Sequence, residues 1–382
     1  MKYLPRVIEH KLLEYLKIFP VIGLTGPRQS GKSTLLKHML SDKYKYVTFD
    51  DPTNVRLFSE DPEGFINTYS NKVIFDEAQK VPEIFHYIKM AVDEDRQNYG
   101  KFVVTGSSQF NLLGKISESL AGRIGLLTLL PFQHQELPAA FKECAIFQGQ
   151  YPELAEKNYS HVNDWYSSYV NTYIEKDVRS ILNIGDLRDF NRLLNLLATQ
   201  TSQLLNMNAL ASSIAVSQAT IKRWISVLEA SFIVFLLAPY YENFGKRIVK
   251  APKIYFYDTG LVSYLTGIET AKQYNLGPMA GSLFENYVIS NILKNIQHKK
   301  LNQELFYLRT SHGVEVDLII DKKRSKEFVE IKKSSTFTQG MTTHLQTILT
   351  ANHSDSDSYS VLYTGKPRKY KNIDIRPFWA DE

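Results

Sequence analysis

Short apolar runs alternate with amphipathic stretches through the first third of the chain. Five of the runs have the length and the Val, Ile, Leu and Phe content of buried strands. They cover residues 19–25, 44–49, 72–77, 101–106 and 123–130. Strands separated by helical stretches predict a parallel sheet with helices on both faces, which is an α/β fold. Ligands bind to such a sheet beyond the carboxyl ends of its strands.

The pattern becomes helical between about residues 187 and 275. Apolar residues recur at helical spacing over 208–214 and again over 216–229, and a tight turn separates the two stretches. Four polar residues lie off the apolar face of the second stretch, namely Gln218, Thr220, Lys222 and Arg223. Two apolar strands follow, and the segment between them contains Lys246, Arg247 and Lys250. This pattern is typical of a winged-helix domain, which either contacts DNA or serves as a lid or protein contact.

The last third returns to an α/β pattern. An amphipathic helix is predicted over 281–293, followed by strands over 305–309, 314–320 and 327–332. A helix followed by three strands, after the first predicted sheet, indicates a second α/β domain.

Composition and charge narrow the class of protein. The 382 residues exceed one ordinary core, so two or three domains are expected. The net charge of +5 permits a nucleic-acid partner without demanding one. A single cysteine, Cys144, excludes an internal disulfide and fits a reducing cytosol, so a cytoplasmic location is expected. The longest apolar run, 232–241, contains a proline and is far shorter than the roughly twenty residues of a membrane span, so no membrane partner is expected.

One motif points directly to phosphate chemistry. Residues 26–33 match the pattern G-x-x-x-x-G-K-[ST] in full, between a predicted strand and a predicted helix. Its glycines let the backbone curl round a phosphate with the amides pointing inward, and the helix amino end adds positive charge. Lys32 is predicted to reach the β- and γ-phosphates of ATP, and Ser33 to hold Mg²⁺. The predicted nucleotide-binding residues are Gly26, Pro27, Arg28, Gln29, Ser30, Gly31, Lys32, Ser33, Thr34 and Asp76.

Polar residues mark the ends of the third and fourth runs and the start of the fifth. The third strand ends in Asp76, predicted to bind Mg²⁺ directly or through water, and Glu77, predicted to deprotonate the attacking water. After the fourth strand, Ser107 or Ser108 either senses the γ-phosphate or caps the next helix. Arg123, just before the fifth strand, acts either as a finger on the transition state, in cis or from a neighbouring subunit, or as a surface arginine.

Residues about 20–135 resemble an AAA+-type ATPase. The resemblance rests on the P-loop wording Gly-Pro-Arg-Gln-Ser-Gly-Lys-Ser-Thr and on the stretches Val-Ile-Phe-Asp-Glu-Ala-Gln, Thr-Gly-Ser-Ser-Gln and Leu-Ala-Gly-Arg. These are similar to a branch of prokaryotic ATPases in which an AAA domain precedes a carboxy-terminal domain of formerly unknown function. Residues 165–179 resemble the junction helix of that family, and Arg179 is an open alternative for a second sensor arginine.

Three polar residues of the last third suggest metal chemistry. Residues i and i+2 of a strand share one face, so Glu330 and Lys332 project together, and Asp317 on the neighbouring strand can join them. Two such carboxylates bind Mg²⁺ or Mn²⁺ through oxygen, the metal activates water, and Lys332 stabilises charge or orients that water.

The same three residues resemble the PD-(D/E)xK nuclease core, with Val316 where the motif name has proline. Glu285, on the preceding helix, matches the accessory acidic position of that core. The resemblance implies a metal set of Glu285, Asp317 and Glu330. Because such folds can keep the site and lose the activity, cleavage stays an open question.

These patterns divide the chain into four predicted segments. They are an AAA-like P-loop ATPase domain over 1–135, a helical junction over 136–186, a winged-helix domain over 187–275 and a PD-(D/E)xK nuclease-like domain over 276–382. The predicted function is Mg-ATP hydrolysis coupled to DNA binding or remodelling. A homo-oligomer or a protein partner is also expected. The alternative is a regulatory or scaffolding ATPase whose later domains contact only proteins, and a toxin or defence component with the same parts also stays open.

Overall fold

The computed structural model describes residues 3–106, 119–174, 187–240, 250–310, 313–351 and 356–379. Its strands are β1 Val21–Thr25, β2 Lys45–Thr48, β3 Val73–Asp76, β4 Phe102–Thr105, β5 Ile124–Thr128, β6 Val234–Pro239, β7 Lys253–Phe256, β8 Glu304–Arg309, β9 Glu315–Asp321, β10 Lys326–Ile331, β11 Ser358–Tyr363, β12 Arg368–Tyr370 and β13 Ile373–Pro377.

Helices surround both groups of strands. The described α-helices are α1 Ile8–Tyr15, α2 Lys32–Leu40, α3 Pro52–Glu60, α4 Pro62–Thr68, α5 Ile84–Glu94, α6 Ala139–Lys142, α7 Ala145–Gln148, α8 Pro152–Glu156, α9 Val162–Tyr169, α10 Leu187–Thr199, α11 Met207–Ile214, α12 Gln218–Ala230, α13 Thr259–Thr266, α14 Ala271–Leu276, α15 Ala280–Lys299 and α16 Thr343–Ala351. A π-helical turn, Val170–Ile174, extends α9. No helix within the described ranges is both long and apolar enough to cross a membrane.

The first sheet contains five parallel strands in the order β2-β3-β4-β1-β5. Each matches one of the predicted apolar runs, so the predicted α/β fold is confirmed. Strands β1, β3 and β4 are buried along their whole length because helices cover both faces. With β1 between β4 and β5, and β3 beside β4, the loops that follow β1, β3 and β4 meet at one edge of the sheet.

Two short helices, α11 and α12, form the helix–turn–helix that the sequence predicts. Ser217 caps α12, since its Oγ accepts a hydrogen bond from the Thr220 backbone amide at 3.0 Å. The apolar face of α12 is buried in a cluster shared with α10 and α11, through side chains that include Ile221 and Leu228. Lys222 and Arg223 are exposed on the same helix. The amphipathic pattern therefore leaves a basic outer face.

The second sheet contains eight strands in the order β12-β13-β11-β10-β9-β8-β6-β7. The antiparallel β6–β7 pair is the hairpin expected after α12, and its outer end continues into the sheet because β6 pairs in parallel with β8. Ala238 lies opposite Phe306 and Pro239 opposite Tyr307. The sheet thus extends across the boundary predicted at residue 275, which the sequence did not indicate.

Helix α15 connects the two sheets. Near its carboxyl end, His298 Nε2 accepts a hydrogen bond from the Leu130 backbone amide at 3.0 Å, just beyond β5. One turn earlier, Lys294 Nζ donates to the Phe132 carbonyl at 3.2 Å. Lys294 is fully buried, and burial lowers its pKa to about 8. Glu285 lies near the amino end of this helix. Helix α15 therefore joins the segment beyond β5 to the carboxylates of the second sheet.

Candidate functional site

The loop after β1 has the strained backbone that phosphate-binding loops need. Gly26 and Gly31 have φ values of +138° and +93°, and a Cβ at Gly26 would overlap the carbonyl oxygen of Leu129. The Lys32 ammonium donates to the carbonyl oxygens of Gly26 at 2.9 Å and of Pro27 at 2.8 Å. Lys32 is therefore held at the loop itself, within reach of a phosphate bound there.

Three hydroxyl groups surround the carboxylate of Asp76 at the end of β3. Ser33 Oγ lies 3.1 Å from Asp76 Oδ2, and the hydroxyls of Thr105 and Tyr46 also donate to this carboxylate. Burial, then the Asp76 carboxylate, raises the pKa of Tyr46 above its ordinary value, which keeps it a hydrogen-bond donor. Hydroxyl and carboxylate oxygens are the ligands that Mg²⁺ prefers. Ser33 and Asp76, the two predicted Mg²⁺ ligands of this loop, thus lie next to each other. The hydroxyls of Tyr46 and Thr105 also belong to this site, although the sequence did not indicate them.

Glu77 begins a sharp turn directly after Asp76. Its φ of +54° is uncommon for a residue with a side chain, and strained backbone of this kind gathers at functional sites. The Gln79 side-chain amide donates to Glu77 Oε2 at 2.5 Å, which fixes the carboxylate. The two predicted carboxylates of this strand end therefore have separate surroundings: Asp76 among hydroxyls and Glu77 against an amide.

The junction segment reaches the P-loop through Tyr173. The Gln29 side-chain amide donates to the Tyr173 hydroxyl at 3.1 Å, and the Arg28 guanidinium lies 5.3 Å from the centre of the Tyr173 ring. The predicted phosphate sensor Ser107, its alternative Ser108 and the possible sensor Arg179 lie outside the described residues.

Arg123 is not at the same edge of the sheet as the P-loop. It precedes β5, and its carbonyl accepts from the Val21 amide at the start of β1, whereas the P-loop follows the end of β1. Its guanidinium forms two hydrogen bonds with Asp93, at 2.7 and 2.9 Å. The alternative of action in cis does not fit this arrangement, because the length of the sheet separates Arg123 from the loop. Action on a neighbouring subunit stays a prediction.

A second group of charges lies where β9 and β10 meet. Lys332 Nζ lies 3.1 Å from Asp317 Oδ2 and 2.5 Å from Glu330 Oε2. The Ile331 backbone amide also donates to Asp317 Oδ2 at 2.8 Å. Glu330 Oε1 is buried and has no hydrogen bond among the described residues, although the His344 ring lies 3.4 Å away. The structure thus brings together Asp317, Glu330 and Lys332 as the sequence predicts.

Glu285 has other partners. Its carboxylate accepts from the Tyr255 hydroxyl at 2.6 Å and lies 3.4 Å from Lys253 Nζ, which also pairs with Glu315 at 2.8 Å. Within the described ranges, no group of three or more His, Cys, Asp and Glu side chains is arranged to hold a metal ion. The expected three-carboxylate metal set is therefore not formed: Lys332 pairs with Asp317 and Glu330, and Lys253 pairs with Glu285.

The pKa values of these carboxylates diverge. Burial first, and then the charge of Asp317, raise the pKa of Glu330 to about 9 and that of Glu285 to about 7. Burial also raises the pKa of Asp317, but Lys332 and Lys253 outweigh it and leave the net pKa below the ordinary value. A divalent cation would stabilise the negative charge of these buried, closely spaced carboxylates. It would also coordinate Glu330 Oε1, which is buried without a hydrogen bond among the described residues. Asp317 and Glu330 therefore fit a hard cation, with Lys332 as the group to be displaced.

Sequence reasoning missed Lys253, Tyr255 and Glu315. Lys253 is nearly fully buried at the start of β7. The pairing of β6 with β8 joins that hairpin to the sheet that holds Asp317 and Glu330, and no local pattern signals this pairing.

Family models cover most of the chain. An AAA domain matches residues 19–138, and two domains of unknown function, DUF8612 and DUF4143, match residues 142–272 and 280–379. The first match confirms the AAA-type part of the predicted resemblance. The other two describe no activity.

Solved structures give a weaker likeness. The Walker-type ATPase PABY2304 of Pyrococcus abyssi is 15% identical, with 68% of this chain and 94% of that chain covered at a TM-score of 0.46. AMPPCP-bound DnaA from Aquifex aeolicus is 12% identical, with 58% and 86% covered at a TM-score of 0.32. Likenesses of this size carry no argument about activity or partners.

Two mycobacterial proteins are much nearer in sequence. "Uncharacterized protein Mb2031c" of Mycobacterium bovis and "Uncharacterized protein Rv2008c" of Mycobacterium tuberculosis are each 30% identical over 320 residues. The matches cover 83% of this chain and 71% of each relative. With its AAA domain at residues 19–138, the chain therefore belongs to the same family of AAA-type proteins as these two mycobacterial relatives.

Proposed function

We propose that the protein binds and hydrolyses ATP with Mg²⁺ at the loop after β1. The observation that carries this proposal is the meeting of Ser33, Asp76 and Thr105 beside a P-loop whose lysine is already held at the loop. Mg²⁺, when bound, supplies positive charge to the phosphates. Lys32 holds the β- and γ-phosphates, Ser33 and Asp76 hold the metal, and Glu77 accepts a proton from the attacking water.

One assay tests this proposal and its possible coupling to nucleic acid. Phosphate release from ATP is measured on the full chain, alone and with single-stranded, duplex or branched DNA. Mg²⁺-dependent release supports ATP hydrolysis, and stimulation by one DNA form supports DNA as the target. Hydrolysis that no DNA form changes, together with no DNA binding at moderate salt, favours the regulatory or scaffolding ATPase instead.

We further propose that the region of α11, α12 and the β6–β7 hairpin is a winged helix that contacts DNA. Support comes from the exposed Lys222 and Arg223 on α12, the second helix of a helix–turn–helix, and from the exposed Lys250 before β7. Basic side chains on such a helix contact phosphates when the helix enters the major groove. Lys253, by contrast, is buried with Glu285 and Glu315 and is not part of this face.

Replacing both Lys222 and Arg223 with alanine should weaken DNA binding about tenfold to a hundredfold at low salt. The slope of log affinity against log salt should fall by about 2, since two phosphate contacts are lost. Fluorescence anisotropy with labelled duplex DNA measures both quantities. The matched control replaces the exposed Lys17 and Arg56 with alanine, which changes the net charge equally. Equal losses in the two double variants would mean that general charge, and not α12, attracts DNA.

The second sheet supports a metal-dependent nuclease as the further part of this proposal. Asp317 and Glu330 supply two oxygen donors, and Lys332 is placed to stabilise a developing negative charge once it leaves them. A bound Mg²⁺ or Mn²⁺ would activate water for phosphodiester cleavage. Incubation of the wild-type chain with labelled DNA and each metal tests this part. If neither metal supports cleavage, the nuclease role fails while the ATPase proposal stands.

A further inference from the structure

A buried arginine outside the P-loop, Arg6, forms a hydrogen bond with the backbone of the loop. Arg6, in the segment before α1, donates from Nη1 to the Ser30 carbonyl at 3.0 Å and from Nη2 to the Leu130 carbonyl at 2.6 Å. Only 6% of Arg6 is exposed. One guanidinium therefore links the P-loop to the chain beyond β5.

The position of Arg6 is itself firmly fixed. Its guanidinium lies 3.2 Å from the Glu136 carboxylate, although the pair is not aligned as a hydrogen bond, and 4.6 Å from the centre of the Phe132 ring. Glu136 accepts from the Val7 and Gln133 backbone amides, both at 2.7 Å. A guanidinium with planar, fixed donors suits two carbonyls and a carboxylate at once, which an ammonium group cannot match.

The carbonyl that Arg6 holds belongs to the peptide group of Ser30 and Gly31. This peptide is trans, so its carbonyl and its N–H point in opposite directions. Holding the Ser30 carbonyl toward Arg6 therefore directs the Gly31 N–H to the other side of the loop. The inward N–H groups of such a loop bind the phosphates of a nucleotide.

Gly31 itself leaves this peptide free to turn. It has a φ of +93°, and a Cβ there would lie 3.7 Å from Arg6 Nη1 and 3.6 Å from Pro152, without a clash. Glycine tolerates a wide range of φ, so Gly31 places little restraint on this peptide. The hydrogen bond from Arg6 to the Ser30 carbonyl holds the peptide in the observed direction.

We propose that Arg6 is a positioning residue for phosphate binding, which sets the Ser30–Gly31 peptide so that the Gly31 N–H faces the phosphate chain. This inference rests on the proposed binding of ATP at the loop. It gives the segment before α1 a role in nucleotide affinity that its sequence does not indicate.

Isothermal titration of the full-length chain with ADP and with inorganic pyrophosphate tests the inference. Arg6→Ala should weaken both ligands by the same factor, about 10- to 100-fold, because the lost contact acts on phosphate and not on adenosine. Arg6→Lys, which can keep one of the two carbonyl contacts, should lie between the wild type and the alanine variant. Thermal unfolding without ligand reports the effect on stability separately.

The control and the possible results distinguish a positioning role of Arg6 from a purely structural one. Arg56→Ala, an exposed arginine on α3, is the matched control and should bind both ligands as the wild type does. If Arg6→Ala and Arg6→Lys only lower the unfolding temperature, with both affinities unchanged, Arg6 is structural and the inference is wrong. A loss for ADP without a loss for pyrophosphate also overturns it. If Arg6→Ala does not fold, Arg6→Lys decides alone. If the wild type binds neither ligand, the proposed ATP function fails instead.

Discussion

Replacing Glu77 with glutamine should leave ATP binding intact and lower kcat for ATP hydrolysis at least about 100-fold, the usual contribution of a general base. The amide has the shape of the carboxylate but cannot accept a proton at neutral pH. The local structure should survive, since the Gln79 amide that donates to Glu77 can donate equally to the new amide oxygen. The change therefore separates proton transfer from the binding of nucleotide.

The measurement combines steady-state phosphate release with the affinity for a fluorescent ATP analogue. Glu83→Gln, an exposed glutamate just before α5, removes the same charge near the same strand end and should hydrolyse ATP normally. Lys32→Ala gives the opposite signature, because loss of the loop lysine should remove binding as well as turnover. Normal turnover by Glu77→Gln would exclude Glu77 as the base.

The P-loop half of the site is predictable because its information is local. Gly26, Gly31, Lys32 and Ser33 fall within eight consecutive residues, and Asp76 lies at the end of an apolar run with the length and composition of a buried strand. The hydroxyls of Tyr46 and Thr105 come instead from β2 and β4. They reach Asp76 because these strands flank β3, and sequence periodicity does not determine strand order.

The positions of Arg123 and Lys253 illustrate the same limit. Arg123 comes after the other motifs along the chain, yet a residue before a strand lies at the opposite edge of the sheet from one that follows a parallel neighbour. Lys253 begins a strand that is buried along its whole length, and that strand joins the carboxylates through the pairing of β6 with β8 across more than sixty residues. In both cases the strand was predicted from the sequence, but the strand that lies beside it in the sheet was not. A single sequence carries little information on such long-range pairing.

We expect Asp317→Asn to reduce metal-dependent DNA cleavage at least about 100-fold while ATP hydrolysis is unchanged. The asparagine side chain keeps one oxygen and the size of aspartate, but it loses the charge that attracts a divalent cation. The Ile331 amide that now donates to Asp317 can donate to the asparagine oxygen, so the strand pairing should survive. Unchanged ATP hydrolysis is expected because the P-loop belongs to the other sheet.

The loss of cleavage would not be explained by protonation of Glu330. Burial and then Asp317 raise the pKa of Glu330 to about 9, so removal of the Asp317 charge lowers that pKa and favours the ionised carboxylate. Asp374→Asn, at a half-exposed position of β13 in the same sheet, is the matched control and should cut DNA as the wild type does. Cleavage rates are measured with labelled duplex and single-stranded DNA in Mg²⁺ and in Mn²⁺. Undiminished cleavage by Asp317→Asn would place any nuclease activity outside the Asp317–Glu330–Lys332 cluster.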